Sequence, residues 1–191
     1  EASLRGLGKV VAKLQLAAPA SLSMYVHPDR RSKLSLTGDQ GDGHAVVAAG
    51  VLHVLHADPS PDGPLESLAA HEGTHALAFA AWGPAGNSLV GEGLTVWVSG
   101  RYGGIALDEW KARLQDPPRL AELLGAGFRR APEQTTYPLA GLLVAAAVES
   151  IGLDAVREHL LPASAESWDA ACAAAGTSAE ALQQAVDVML A

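Results

Sequence analysis

The run from Leu65 to Trp82 is the part of the sequence that most constrains how the chain can fold. Segments rich in proline and glycine flank it, residues 58–64 on one side and 83–87 on the other. Apolar residues recur along the run at the spacing of a helix that packs one face against a core. His71 and His75 are four positions apart, so their imidazoles point to the same side of that helix. We therefore predict a helix that presents two histidines towards the interior.

Glu72 follows the first of these histidines and completes the pattern H-E-x-x-H. On a helix, this spacing lets two histidines bind one zinc ion while the glutamate acts as a general base. The alternative is a core helix whose histidines are only hydrogen-bonded. That alternative is weaker, because two buried imidazoles beside a carboxylate are costly without a ligand that satisfies them. The pattern therefore predicts a zinc site at His71 and His75.

Two histidines leave a catalytic zinc site incomplete, because such sites usually have three protein ligands and one water. The extended pattern H-E-x-x-H-x-x-G-x-x-H supplies a third histidine. It requires glycine at position 78 and histidine at position 81, where this chain has Ala78 and Ala81. The third ligand must therefore come from another segment.

Glu92 is the predicted third ligand. It lies between two glycines early in the next predicted helix, Leu89 to Arg101, and glycines allow a close approach of the backbone. A carboxylate in such an apolar segment needs a partner, and a metal ion would be one. The alternative is an ordinary glutamate in a first helical turn, favoured by the helix dipole. Other acidic residues are weaker candidates: Glu66, Asp108 and Glu109.

The composition is that of a globular chain, with 49% hydrophobic and 18% charged residues. The formal net charge is −8 and the 13 basic residues are scattered, so we expect no binding of nucleic acid. Cys172 is the only cysteine, which excludes an internal disulfide and a cysteine-based zinc site. No apolar run reaches the ~18 residues of a membrane span, so a soluble protein is predicted. The chain begins at Glu1 without a methionine or a signal-peptide pattern, as expected of a trimmed chain.

The order of β-type and helical segments predicts the α+β class, with one domain over residues 1–191. Residues 1–61 are predicted to form a small α/β sub-lobe with a short sheet. Residues 62–191 are predicted to form a mainly helical sub-lobe. The active-site cleft is expected between the two sub-lobes.

The first sub-lobe is predicted to begin with a helix at 4–18. Three β-type segments follow: Ser21–His27, His44–Ala48 and Val51–His56. The polar segment 30–43 between them is predicted to be a loop or a hairpin connection. His53 and His56 would lie on opposite faces of a strand, so they cannot bind one ion together.

The motif and Glu92 with its following glycine resemble the gluzincin metallopeptidases, the clan of thermolysin and the zinc aminopeptidases. The similarity extends to Tyr137–Gly152, because in that family a tyrosine precedes a small-residue helix that ends in glycine. The helical end of the chain around Trp168 is also similar. The resemblance covers residues 44–190 and implies that the helical sub-lobe is zincin-like.

The resemblance implies zinc-dependent hydrolysis of peptide bonds by a metal-activated water. Glu72 would take a proton from that water and return it to the leaving amine, and Tyr137 would donate a hydrogen bond to the oxyanion. The segment 44–56 would pair by edge addition with an extended peptide or protein substrate. The cofactor would be Zn²⁺, and its ligands would be His71, His75 and Glu92.

Two departures from the family bear on these expectations. His75 and Glu92 are closer in sequence than in the large family members. The Gly-x-Met-Glu-Asn segment of the zinc aminopeptidases is absent, so aminopeptidase activity is not expected.

The alternative for Tyr137 is an ordinary core or rim tyrosine. The alternative function is a catalytically silent binding or regulatory domain on a zincin scaffold.

Overall fold

The computed structural model describes residues 1–19, 21–56 and 65–191. These residues form two compact units, Glu1–Gly83 with Val98–Gly104 and Pro84–Trp97 with Ile105–Ala191. The described chain combines a three-stranded sheet, a two-stranded sheet and many helices, which confirms the predicted α+β class. The predicted boundary between residues 61 and 62, and the breaker segment 58–64, lie outside the described residues.

Three strands of the first unit form a mixed sheet. They are β1 (Ser23–His27), β2 (Gly43–Val46) and β3 (Val51–Leu55). The strand order is β1-β3-β2, and β3 runs parallel to β1 and antiparallel to β2. The predicted strand 44–48 ends early, because Val47–Ala49 forms a 3₁₀ turn and Gly50 follows it with a φ of 59°.

The helices of the first unit are α1 (Ala2–Leu14), α2 (Arg30–Thr37) and α3 (Leu65–Trp82). The bounds of α3 agree with the prediction. α1 packs closely along α3, because a Cβ on Gly6 would lie only 3.0 Å from the backbone nitrogen of Ala70. α3 also packs on β2 and β3. The core of this unit includes Val10, Leu14, Leu52, Val54, Ala69 and Ala70.

α2 replaces the first part of the predicted loop at 30–43, so that prediction was wrong there. Asp29 caps the helix, because its Oδ1 accepts the N–H of Ser32 at 2.8 Å. Gly38 ends the helix with a φ of 72°, as a C-terminal glycine does. The polar composition concealed a short helix that depends on its two caps rather than on an apolar stripe.

α4 (Ser88–Ser99) covers most of the helix that was predicted at 89–101. A hairpin follows, formed by β4 (Arg101–Tyr102) and β5 (Ile105–Ala106). Its two turn residues, Gly103 and Gly104, have φ values of 57° and 75°, which suit a tight hairpin turn. The remaining α-helices are α5 (Leu107–Lys111), α6 (Gly127–Arg130), α7 (Glu133–Ala155), α8 (Trp168–Ala174) and α9 (Ala179–Leu190). A 3₁₀ helix at Leu120–Leu123 and a π-helical turn at Val156–Leu160 complete the described helical segments.

α7 is the longest helix of the second unit, and its buried side chains supply much of that unit's core. They include Leu139, Ala140, Leu142, Leu143, Val144, Ala146 and Ala147. Gly152 interrupts the helical geometry near its end with a φ of 84°. The stretch Glu133–Leu160 is long and apolar enough to cross a membrane, although half of its most apolar window is buried in the protein. A core helix of a soluble protein has the same properties, so the stretch is weak evidence for a span.

Candidate metal centre

α3 places the two motif histidines next to each other. The ring centroids of His71 and His75 are 5.2 Å apart, and the ring planes are inclined at 73°. Both side chains are half-buried. A Cβ on Gly73 would lie 2.6 Å from Cδ2 of Leu7, so the glycine lets α1 pack directly against α3. The histidines therefore project from a helix that is anchored by its packing on α1.

α4 positions Glu92 one turn from its start. Asn87 caps this helix, because its Oδ1 accepts the N–H of Val90 at 2.9 Å. A Cβ on Gly93 would lie 2.8 Å from the carbonyl carbon of Ala140, so this glycine allows α4 to lie directly against α7. The Glu92 side chain is 13% exposed. Its carboxylate is thus held in a mostly dry position.

The structure brings the three predicted metal ligands together: the potential ligand atoms of His71, His75 and Glu92 all lie within 4.8 Å of one another. Zinc binds nitrogen and oxygen ligands at about 2.0–2.2 Å, so tetrahedral ligands lie about 3.4 Å apart. Two imidazoles and one carboxylate are also the ligand set of His₂Glu zinc enzymes. The group could hold a metal ion, and its donors fit zinc.

Glu72, the predicted general base, is buried, with 6% of its surface exposed. Its side chain lies against β2. A Cβ on Gly43 would lie 2.5 Å from Cδ and 2.6 Å from Cγ of Glu72, so only glycine leaves room for the carboxylate there. The predicted base therefore lies beside the first residue of β2.

The predicted substrate-pairing segment, residues 44–56, needs a correction. β3 lies between β1 and β2 and pairs with both, so its backbone is not available to a further strand. Among the described residues β2 pairs with β3 alone, so it is an edge strand of this sheet. Within the predicted segment, an added peptide strand could therefore pair only with β2.

Tyr137 and Glu92 share a partner in the second unit, Arg129. The guanidinium donates from Nη1 to the hydroxyl of Tyr137 at 3.2 Å and from Nη2 to Oε1 of Glu92 at 3.3 Å. Burial and the charge of Glu92 raise the pKa of Tyr137 to about 12, and Arg129 only partly opposes them. Tyr137 therefore stays protonated at physiological pH and can donate a hydrogen bond.

Arg129, which contacts two of the predicted site residues, was not predicted from the sequence. In the sequence it is one half of a basic pair with Arg130, and no motif marks it. Partial burial of this mostly exposed side chain works against the charged form, but Tyr137 and Glu92 raise the pKa of the guanidinium. Arg129 lies on the short helix α6, and Tyr137 lies in the first turns of α7, which begins shortly after α6 ends. The contact between them therefore depends on the turn that joins the two helices.

Two of the rival acidic residues have cationic partners. The carboxylate of Glu66 accepts from Nε of Arg5 at 2.8 Å and pairs with Nζ of Lys9 at 2.5 Å. Asp108 pairs with Lys111 at 2.8 Å. Glu92 also pairs with a cation, Arg129, but its carboxylate alone among these acidic residues is grouped with His71 and His75. That grouping makes Glu92 the preferred third ligand.

Sequence comparison adds no family evidence to the motif. No protein-family model matches the chain, and no curated protein matches it. The resemblance to gluzincins therefore rests on the residues of the motif, on Glu92 and on Tyr137.

Proposed function

We propose that this protein is a zinc-dependent peptidase that hydrolyses peptide bonds in extended substrates. The observation that carries the proposal is the convergence of His71, His75 and Glu92, with the buried Glu72 directly after the first histidine. When bound, zinc would polarise the scissile carbonyl and lower the pKa of the attacking water to about 7.

Glu72 would act as the general base and then as the general acid. Its carboxylate accepts a proton from the attacking water and returns the proton to the leaving amine. The burial of Glu72 keeps bulk water from competing for this proton transfer. The contact with Gly43 fixes the carboxylate beside the edge strand, where an extended substrate backbone would pair.

Tyr137 would stabilise the oxyanion of the tetrahedral intermediate. A raised pKa suits this role, because the hydroxyl must be protonated to donate a hydrogen bond. Arg129 would hold the hydroxyl in position, since it donates to Tyr137 and to Glu92 at the same time. Arg129 acts here as a positioning residue, with the ligand glutamate as its second anchor.

Substitution of Glu72 by glutamine tests the proposal. Zinc content is measured by elemental analysis, and hydrolysis of a mixed peptide library by mass spectrometry. We expect Glu72→Gln to keep one zinc per chain and to lose about 10²–10⁴-fold in kcat/KM, the range of general acid–base catalysis. Glu66→Gln is the matched control on the same helix, because Glu66 is engaged with Arg5 and Lys9. It should keep both zinc and activity.

Two results would contradict the proposal in different ways. Full zinc occupancy with no cleavage by the wild-type protein would identify a silent binding domain on this scaffold. Undiminished cleavage by Glu72→Gln would show that Glu72 is not the base.

A further inference from the structure

A pocket of about 480 Å³ opens on the three-stranded sheet of the first unit. The register pairs Tyr25 with His53 across β1 and β3, and His44 with His53 across β2 and β3. Residues that are directly opposite in paired strands share a face, so these three side chains lie on one side of the sheet. The lining residues are Tyr25, Leu36, Thr37, His44, Val46 and His53.

The surroundings of this pocket are unusually apolar for an exposed surface. Tyr25 is 53% exposed, Leu36 is 64% exposed and Val46 is 37% exposed. Of the seven large apolar side chains that are exposed among the described residues, these three line the pocket. Scattered exposed apolar residues are ordinary, whereas a cluster of them around a concavity indicates a binding site.

β2 connects this pocket with the proposed general base. A side chain at position 43 would point at Glu72, which lies on the α3 side of the sheet. Successive side chains of a strand point to opposite faces, so His44 and Val46 lie on the other face, where they line the pocket. The edge strand β2 therefore contacts Glu72 through Gly43, its first residue. The same strand lines the pocket through His44 and Val46.

We propose that the pocket receives an apolar or aromatic side chain of the peptide substrate that pairs with β2. This inference rests on the proposed function. The substrate residue opposite Gly43 would lie beside Glu72. The residues one and three positions further along would lie opposite His44 and Val46, with their side chains on the pocket face.

The chemistry of the lining selects the kind of side chain. The rings of Tyr25 and His53 stack with centroids 5.1 Å apart and present an aromatic wall. Leu36 and Val46 add aliphatic surface. None of the six lining residues is Asp, Glu, Lys or Arg, and an ion pair with a charged substrate side chain would require a protonated His44 or His53. Phenylalanine or leucine should therefore bind better than aspartate or lysine.

A library of peptides that vary the residues around the cleaved bond tests this inference. The wild-type protein should prefer phenylalanine or leucine over aspartate and lysine by about 10-fold or more, as a hydrophobic pocket does. The preference should appear within three residues of the cleaved bond and on one side of it only. Leu36→Gln and Val46→Thr should weaken it by raising KM, with kcat nearly unchanged, because the contact is made equally in the ground and transition states.

Leu4→Gln is the matched control, because Leu4 is also an exposed helical leucine of the first unit, at 72% exposure, outside the pocket. It should leave the preference unchanged. Cleavage with no apolar preference, or an equal effect of Leu36→Gln and Leu4→Gln, would overturn the pocket while leaving the peptidase proposal intact.

A binding measurement separates this inference from the proposed function if no peptide is cleaved. A fluorescent phenylalanine-containing peptide is titrated with zinc-loaded Glu72→Gln protein and followed by anisotropy. Binding that weakens about 10-fold with added Leu36→Gln, but not with Leu4→Gln, would support the pocket without hydrolysis. Equal binding in all variants, or no binding, would overturn it.

Discussion

The chain contains two close pairs of histidines in opposite surroundings. His71 and His75 lie on α3, and Glu92 has a carboxylate oxygen within 4.8 Å of a ring nitrogen of each. His27 and His53 lie on neighbouring strands, with Nε2 of His27 3.1 Å from Nδ1 of His53. Over the part of the chain that the structure describes, no third metal-binding side chain completes this second pair.

The difference shows that two adjacent imidazoles do not by themselves make a metal site. In the sheet pair, one ring can donate and the other accept, so two neutral histidines satisfy each other. In the helix pair, a carboxylate completes a ligand set and brings the negative charge that favours a cation. We therefore expect the helix pair to bind metal and the sheet pair to serve packing.

Removal of one histidine from each pair should give the largest and most unequal effects. His75→Ala should lose stoichiometric zinc and all peptide hydrolysis, because only two protein ligands remain. His53→Ala should keep one zinc per chain. Elemental analysis after dialysis measures both, and equal loss of zinc from the two variants would contradict the distinction between the pairs.

Tyr137→Phe should give the next largest effect, on hydrolysis alone. Loss of one oxyanion donor lowers kcat by about 10²–10³. Zinc content should be unchanged, because Tyr137 is not among the predicted ligands. Tyr102→Phe, the same change in the β4–β5 hairpin, is the control. The kcat values of the wild type and of both variants are measured on one peptide. Equal kcat in Tyr137→Phe and the wild type would leave Tyr137 as an ordinary rim tyrosine.

Arg129→Met should lower hydrolysis less than Tyr137→Phe, because Arg129 acts only through its hydrogen bonds to Tyr137 and Glu92. Partners behind a metal ligand typically contribute about 10–100-fold to affinity or activity. The pKa of Tyr137 should rise further, because Arg129 opposes the effects of burial and Glu92. Kinetics and an alkaline spectroscopic titration of tyrosine measure the two effects. Arg129→Lys should restore part of the loss, and Arg130→Met is the neighbouring control.

The smallest effect should be a loss of stability in acid through the sheet pair. Burial and the nearby His27, His44 and Lys33 lower the pKa of His53 below the usual histidine value. The unfolded chain then binds this proton more readily than the folded one. The stabilisation is complete above the unfolded pKa of about 6.5 and is lost as the pH falls through it towards the lowered folded pKa.

His53→Leu should flatten this part of the curve of melting temperature against pH. Thermal unfolding between about pH 7.5 and 5, on both sides of the usual histidine pKa, measures the slope. His56→Leu, at an exposed position next to the same strand, is the matched control. Identical slopes for His53→Leu and the wild type would show that His53 does not couple folding to protons.

The contrast between α3 and α2 shows which local structures could be read from the sequence. α3 was predictable because breaker residues bound an apolar run and the motif spacing works only on a helix. α2 was not, because its stability comes from the Asp29 cap and the Gly38 terminus within a polar segment. Patterns of hydrophobicity carry no information about such short, capped helices.

The candidate site likewise contains residues that could be predicted from the sequence and features that could not. The grouping of His71, His75 and Glu92, which could hold a metal ion, was predictable, because metal chemistry requires particular residue types at particular spacings. Arg129 could not be found, since its contacts with Glu92 and Tyr137 depend on how α6 meets α7. The edge position of β2 was also hidden, because strand order follows from tertiary pairing and not from local sequence.

The placement of Glu92 against the two motif histidines is the central claim, and zinc affinity tests it most directly. Competition with a chromophoric chelator gives the zinc dissociation constants of the wild type, Glu92→Ala and Glu66→Ala. We predict that Glu92→Ala weakens binding more than about 100-fold, beyond the usual effect of an outer partner, and that Glu66→Ala binds like the wild type. Unchanged affinity in Glu92→Ala would remove Glu92 from the site and contradict the account.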